Sequence, residues 1–161
     1  VATEIERKFL VSDDGWRASA LSTPIAIRQG YLATGEGASV RIRIADDGAK
    51  LTIKGERAGR SREEFEYDIP PGDALALLSL CPLPPIVKNR HEIPHEGKLW
   101  EVDEFLGVLE GLVIAEVELD REDESFQLPD WVGEEVTHDL RYRNSSLVKA
   151  TEPPRPGRHT T

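Results

Sequence analysis

Residues 39–56 read SVRIRIA, then DDG, then AKLTIKGE, and this alternation decides the fold. Side chains point to opposite faces along a β-strand, so residues two apart share a face. In 39–45, Arg41 and Arg43 point one way while Val40, Ile42 and Ile44 point the other; in 50–56, Lys50, Thr52 and Lys54 oppose Leu51 and Ile53. Asp46-Asp47-Gly48 supplies the residues of a tight hairpin turn. The spacing predicts an antiparallel hairpin with one apolar and one basic face.

Outward from this hairpin, Gly, Pro and Asp clusters isolate six further runs of strand length, 3–11, 25–33, 62–69, 86–93, 98–105 and 112–119, for eight predicted strands. The alternation continues in most of them. Glu4, Glu6 and Lys8 oppose Ile5, Arg7 and Phe9; Glu64, Glu66 and Asp68 oppose Phe65, Tyr67 and Ile69. Lys88, Arg90 and Glu92 oppose Val87 and Ile93; Glu101 and Asp103 oppose Trp100 and Val102; Glu116 and Glu118 oppose Ala115, Val117 and Leu119. Helical interruptions are expected at 14–21 around Trp16, at 73–80 with Asp73 as the cap, and at 144–150.

The 161 residues suit one domain, expected over 1–151, with the Pro-rich 152–161 as an unpacked tail. No apolar run approaches the roughly 18 residues of a membrane span, and no signal-peptide layout precedes the first strand, so a cytoplasmic protein is expected. The single cysteine, Cys81, excludes an internal disulfide and has no zinc-ligand spacing around it. Net charge is −10, but residues 120–139 carry eight acids and one Arg, leaving −3 for the rest. That segment reads as a solubilising surface, and no basic stripe for nucleic acid lies on an exposed face.

A half-solvated sheet would carry mixed polar residues, whereas these faces repeat one sign, and like charges side by side repel. Basic and acidic strands that curl around one space neutralise each other. Eight antiparallel strands can close into a barrel, with charge inside and apolar faces outside, covered by helices or by a partner. Arg and Lys hold phosphate oxygens, and carboxylates hold hard divalent cations. A polyphosphate with Mg²⁺ or Mn²⁺ meets both needs. A purely structural salt-bridge network is the less economical account, because each buried ion costs several kcal/mol of desolvation.

Glu4-Ile5-Glu6-Arg7-Lys8 resembles the ExExK signature of the CYTH superfamily, the triphosphate tunnel metalloenzymes. Further segments follow in that family's order: Gln29-Gly30-Tyr31-Leu32, Val40 to Arg43, Leu51 to Gly55, Glu64-Phe65-Glu66, Val87 to Arg90, Trp100 to Asp103 and Ala115 to Glu118, with a similar Tyr142-Asn144-Leu147 stretch. The resemblance implies an α+β, mainly antiparallel β protein: an eight-stranded tunnel that processes a triphosphate with a divalent metal. It implies phosphate binding by Lys8, Arg41, Arg43, Lys54 and Arg90. It implies metal binding, directly or through water, by Glu4, Glu6, Glu64, Glu66, Asp103, Glu116 and Glu118. Lys88 matches a lysine that assists water activation, with a plain phosphate anchor as the alternative. Tyr31 matches a tyrosine that bonds a tunnel lysine, which needs a bulge at Gly30 if Arg28 also turns inward; otherwise Tyr31 is core and Arg28 lies at the surface.

The expected activity is metal-dependent hydrolysis of inorganic tripolyphosphate. Thiamine triphosphatase, nucleoside triphosphatase, adenylate cyclase and a non-catalytic polyphosphate-binding module are the alternatives. Trp16, Trp100 and Trp131 are expected to pack, and His91, His95, His138 and His159 show no ligand spacing. An apolar outer face larger than the helices can cover raises the expectation of a homodimer.

Overall fold

The hairpin of residues 39–56 is present in the computed structural model of the chain, which describes residues 2–21, 23–34, 37–56, 58 and 61–157. Ala45 pairs with Gly48, leaving Asp46-Asp47 as a two-residue loop, and Gly48 sits at φ +135°. A second two-residue loop, Glu96-Gly97, has positive φ at both positions, the backbone twist that suits a hairpin.

The described strands are β1 (Ala2–Val11), β2 (Ile25–Ala33), β3 (Ala38–Ala45), β4 (Gly48–Gly55), β5 (Ser61–Ile69), β6 (Ile86–His95), β7 (Lys98–Phe105), β8 (Val113–Glu118) and β9 (Val132–Glu135). They are antiparallel in the order β5-β4-β3-β2-β6-β7-β8-β1. Ala2–Ile5 then pair with Ser61–Glu64 of β5, closing an eight-stranded barrel that leaves no open edge in the ring. Beyond Ile5, the same edge of β1 is taken by β9, which pairs Glu135 with Phe9 and Val132 with Val11. Gly133 makes this approach possible: a Cβ there would lie 3.2–3.3 Å from the backbone of Leu10, Val11 and Ser12.

Helix α1 (Pro71–Leu80) covers the outer face of β3 and β4, burying Ala74 with Ile42 and Ala49. A second outer cluster joins Phe9, Trp100, Val102, Ala115 and Val117 to Trp16 and Trp131. The three tryptophans are packing residues, as expected. Part of the apolar outer face is covered within the chain at α1 and at the tryptophan cluster, while Tyr67 and Val87 remain exposed.

A third cluster lies at one end of the barrel. Ile86, Phe105 and Ile114 pack there with Tyr31, Tyr142, Leu147 and Val148. Tyr142 belongs to a 3₁₀ turn, Leu140–Tyr142, and Leu147 to helix α2 (Asn144–Leu147). Charge therefore lines only part of the interior, and the C-terminal turns close the rest with an apolar plug.

Several local expectations change. Residues 14–21 form a short 3₁₀ turn, Gly15–Ser19, held by Arg17 on Glu104 at 2.6 Å. The helix expected over 144–150 is regular only at Asn144–Leu147. Asp73 lies in the first turn of α1, where its charge suits the helix dipole, but Pro70 is the N-cap residue. Strand β6 runs through Pro94 to His95. The acidic 120–139 segment is more than a solubilising surface: it contains β9 and the buried Trp131, and Arg7 pairs with Glu135 at 2.5 Å. Pro153 and Pro154 of the expected tail are half-buried, and Arg141 donates to the Arg155 carbonyl at 3.1 Å; residues 158–161 lie outside the described residues.

Gly30 carries no inward bulge. Alternation holds strictly from Arg28 to Tyr31, with Gln29 opposite Arg43 and Tyr31 opposite Arg41, and the register shifts only after Tyr31. Arg28 is exposed and Tyr31 is buried. Gly30 is needed for another reason: a Cβ there would lie 2.9 Å from Cys81 Sγ and 3.0 Å from Leu78 Cδ2, under α1. Gly30→Ala is expected to destabilise the fold by about 1–3 kcal/mol, read as a lower Tm, and Gly30→Ala/Cys81→Ala should recover part of the loss.

Candidate active site

The inward faces of the eight barrel strands, β1 to β8, meet in a cavity of about 140 Å³. It is smaller than the roughly 300–1,000 Å³ of sites for drug-sized ligands, and its walls are charged. Seven bases and seven acids line it: Lys8, Arg41, Arg43, Lys54, Arg62, Arg90 and Arg143 against Glu4, Glu6, Glu64, Glu66, Glu101, Glu116 and Glu118.

Of the residues expected from the sequence, Glu4, Glu6, Lys8, Tyr31, Arg41, Arg43, Lys54, Glu64, Glu66, Arg90, Glu116 and Glu118 all reach this cavity. Lys88 and Asp103 do not line it. They are buried behind its wall, with Lys88 Nζ on Asp103 Oδ2 at 2.7 Å and Arg90 donating to both Asp103 oxygens at 2.8 and 2.9 Å. Asp103 was expected among the metal-binding acids; both of its oxygens are instead engaged by bases. Arg62, Glu101, Arg143, Asn144 and Ser145 also line the site. Arg62 and Glu101 have the same strand parity as Glu64 and Asp103, so alternation alone points to them. The other three come from the C-terminal turns and have no strand pattern to reveal them.

Charges inside the barrel are only partly balanced. Burial pushes the Glu4 carboxyl up, but Lys54, at 2.8 Å, and Arg62 outweigh it and bring Glu4 down to about 2. Elsewhere the balance fails in two directions. Burial, then Arg41 and Arg90, push the Arg43 guanidinium down to about 9, and burial lowers Lys54 despite Glu4. Arg43 remains a cation at neutral pH, held with too little negative charge around it. On the acidic side, burial raises Glu64, Glu101 and Glu118, with acidic neighbours adding to it: Glu4 and Glu66 for Glu64, Glu116 and Asp103 for Glu101, Glu4 and Glu6 for Glu118. Glu6 faces Glu118, and Glu101 faces Glu116, directly across neighbouring strands. Such like-charge pairs are unfavourable unless a cation joins them.

The donor chemistry suits a hard divalent cation, because every candidate ligand is a carboxylate oxygen. No group of three or more His, Cys, Asp or Glu among the described residues is gathered closely enough to hold a metal by itself. Mg²⁺ does not require one, since it is usually held by one or two carboxylates together with water and substrate phosphates.

Lys8 ties the acidic wall to the C-terminal turns, reaching Glu116 at 3.6 Å and donating to the Tyr142 carbonyl at 3.4 Å. Lys88 Nζ lies 5.3 Å from the Phe105 ring centroid and donates to Asn144 Oδ1 at 3.2 Å. Burial pushes its amine down to about 7, Arg90 and Arg43 adding to the shift and Asp103 opposing it. His91 faces outward and is bonded to Glu104 at 3.3 Å, so it has no part in the cavity.

A protein of Acetivibrio thermocellus named inorganic triphosphatase is 51% identical over 147 residues, covering 91% of this chain and 93% of its own length. One of Nitrosomonas europaea with the same name is 39% identical over 157 residues, covering 91% of this chain and 97% of its own. The crystal structure of an inorganic triphosphatase superposes with a TM-score of 0.67 at 34% identity, covering 92% of this chain and 99% of that one. The CYTH domain profile matches residues 2–151, which span every strand of the barrel and the C-terminal plug. A closed antiparallel barrel with opposed acidic and basic walls, matched along nearly its whole length, places this chain in the CYTH domain family.

Proposed function

We propose that this protein is an inorganic triphosphatase, hydrolysing tripolyphosphate to pyrophosphate and phosphate with Mg²⁺ or Mn²⁺. The observation that carries the reading is the double imbalance inside one small cavity: bases lowered by burial and by other bases, and acids raised by burial and by other acids. A triphosphate with a divalent cation relieves both at once. Names of the two relatives point the same way. Tyr31 is the one aromatic residue on the described wall, which gives no platform for a nucleobase or thiamine ring.

In this reading Arg41, Arg43, Lys54 and Arg90 hold phosphate oxygens, the guanidinium groups as two-pronged donors and Lys54 as a point charge. Lys8 is paired with Glu6 and Glu116, and Arg62 with Glu4. Glu6, Glu64, Glu66, Glu116 and Glu118, joined by Glu101, are the carboxylates that would hold a divalent cation, and Glu4 pairs with Lys54. When bound, such an ion would supply charge neutralisation on the phosphate oxygens.

Lys88, whose amine lies behind the cavity wall, accepts in its neutral form a proton relayed through one intervening water from the attacking water, whose oxygen bonds the terminal phosphorus as the P–O bond to the pyrophosphate leaving group breaks. Arg41 and Arg43 stabilise the negative charge spread over the transferred group's oxygens. Asp103 is a positioning residue in this scheme, since it holds Lys88 and Arg90.

Phosphate release from tripolyphosphate, ATP, thiamine triphosphate and pyrophosphate, each with Mg²⁺, Mn²⁺ or EDTA, tests the proposal. Metal-dependent turnover of tripolyphosphate above the other substrates is expected. No release from any of them, with tripolyphosphate still binding, would make the protein a binding module.

A further inference from the structure

Gln29 is fully buried on the inward face of β2, and the destination of its hydrogen bonds is specific. Its Oε1 accepts from Arg43 Nε at 2.9 Å, and its Nε2 donates to Asn144 Oδ1 at 2.9 Å. The same Asn144 Oδ1 accepts from Lys88 Nζ at 3.2 Å. On its other side Lys88 is held by Asp103, which in turn holds Arg90. Residues from β3, β2, α2, β6 and β7 thus form one unbroken chain, Arg43–Gln29–Asn144–Lys88–Asp103–Arg90, and both of its ends line the cavity.

The polarity of this chain is forced. Arg43 can only donate, so Gln29 must turn its oxygen to Arg43 and its amine to Asn144. Asn144 must then present its oxygen to Gln29, and that oxygen is also the atom that can accept from Lys88. A neutral amine has two N–H groups and one lone pair. With Cε and the two N–H groups, directed at Asp103 and Asn144, taking three of the nitrogen's four directions, one remains for the lone pair.

We infer that Gln29 and Asn144 are positioning residues that fix the direction of Lys88 Nζ and hold Arg43 in register with it. The inference rests on the triphosphatase reading for the tasks of Lys88 and Arg43, while the coupling itself is a matter of geometry. Phosphate holding and proton acceptance then sit on one rigid frame, and part of that frame comes from the C-terminal turn. Neither amide needs to touch the reacting atoms to affect the rate.

Steady-state hydrolysis of tripolyphosphate by Gln29→Leu, Asn144→Leu and the double variant tests this, beside the wild type. Each single variant is expected to lower kcat about tenfold or more, with KM within about twofold for Asn144→Leu and raised beside the kcat loss for Gln29→Leu, which also releases Arg43; the double should be no slower than the worse single, as for residues acting in one chain. Gln29→Glu keeps an acceptor for Arg43 but has no amine for Asn144, whose amide must turn its Nδ2 toward the carboxylate; Lys88 then loses its acceptor, and kcat should fall as in Gln29→Leu. A rise in KM with kcat unchanged, or losses that multiply in the double variant, would overturn the inference.

A second readout does not depend on turnover. In ¹³C-lysine-labelled wild type the two ε-methylene protons of Lys88 are expected to be inequivalent, as for a fixed side chain. Gln29→Leu, which leaves Asp103 on Lys88 but loosens Asn144, should narrow the separation between them. An unchanged pair would overturn the inference even if the wild type hydrolysed nothing, and absent turnover in the wild type would count against the triphosphatase reading alone. If Gln29→Leu fails to fold, Asn144→Ala on the partly exposed α2 gives the same reading.

Discussion

Lys88→Met is expected to lower kcat for tripolyphosphate by about 10²- to 10⁴-fold, the usual contribution of a positioned general base, without lowering the Tm. Methionine keeps the length and apolar character of the buried stem and removes only the amine. Asp103 is not stranded by the change, because Arg90 still holds both of its oxygens. The pH profile separates the two roles open to this lysine. Its amine sits near 7 chiefly because it is buried, so the neutral fraction grows as pH rises through about 7. A general base therefore gives a kcat/KM that rises across that range, and the rise disappears in Lys88→Met. A phosphate anchor needs the charged form and gives the opposite slope, with the loss in Lys88→Met appearing in KM. Because kcat/KM reports the free enzyme, the relevant state is the one without substrate.

Period-two reading was enough to place most of the cavity wall. Arg41, Arg43, Lys54, Glu64, Glu66, Glu116 and Glu118 could be assigned to one face because each strand repeats its charge at alternate positions, and register carries that face around the ring. The same rule contained a feature that charge alone does not advertise. The inward parity of β6, β7 and β8 runs on from Arg90, Asp103 and Glu116 to Ile86, Phe105 and Ile114, so the interior turns apolar at one end. In sequence, those residues look like the ordinary end of a strand. Their purpose becomes visible only when Leu147 and Tyr142 pack on them, and contacts at such separation leave no local pattern.

Asn144 is hidden for the same reason, since it meets Lys88 from 56 residues away. Strand β9 was illegible on composition: Val-Gly-Glu-Glu has a glycine and two acids, which are poor strand formers. It forms because β5 leaves the second half of β1 unpaired and because Gly133 permits close approach there. Tertiary opportunity overrides local propensity at that site.

Asp103→Asn is expected to destabilise the fold by about 3–5 kcal/mol, the cost of breaking a buried ion pair by removing one partner. For a chain of this size that corresponds to a fall in Tm of roughly 6–20 °C. The carboxylate is buried between Lys88 and Arg90, and an amide satisfies the geometry of one donor but not the charge of two. Burial alone would raise its pKa, but Arg90 and then Lys88 outweigh that and hold it below its ordinary 3.8. A carboxyl lowered in the folded state contributes stability that is present above its unfolded pKa and is lost as pH falls through the folded one. The gap in Tm between wild type and Asp103→Asn should therefore be full at neutral pH and narrow in strong acid. Adding Lys88→Met to Asp103→Asn removes one of the two stranded bases, and Arg90 keeps a contact to Glu101 at 3.2 Å, so the double variant should be more stable than Asp103→Asn alone. If Asp103 instead served as a metal ligand, wild type and Asp103→Asn would melt together in EDTA. Equal Tm values there would return this residue to the metal-binding set; a gap that persists without metal assigns it to holding Lys88 and Arg90.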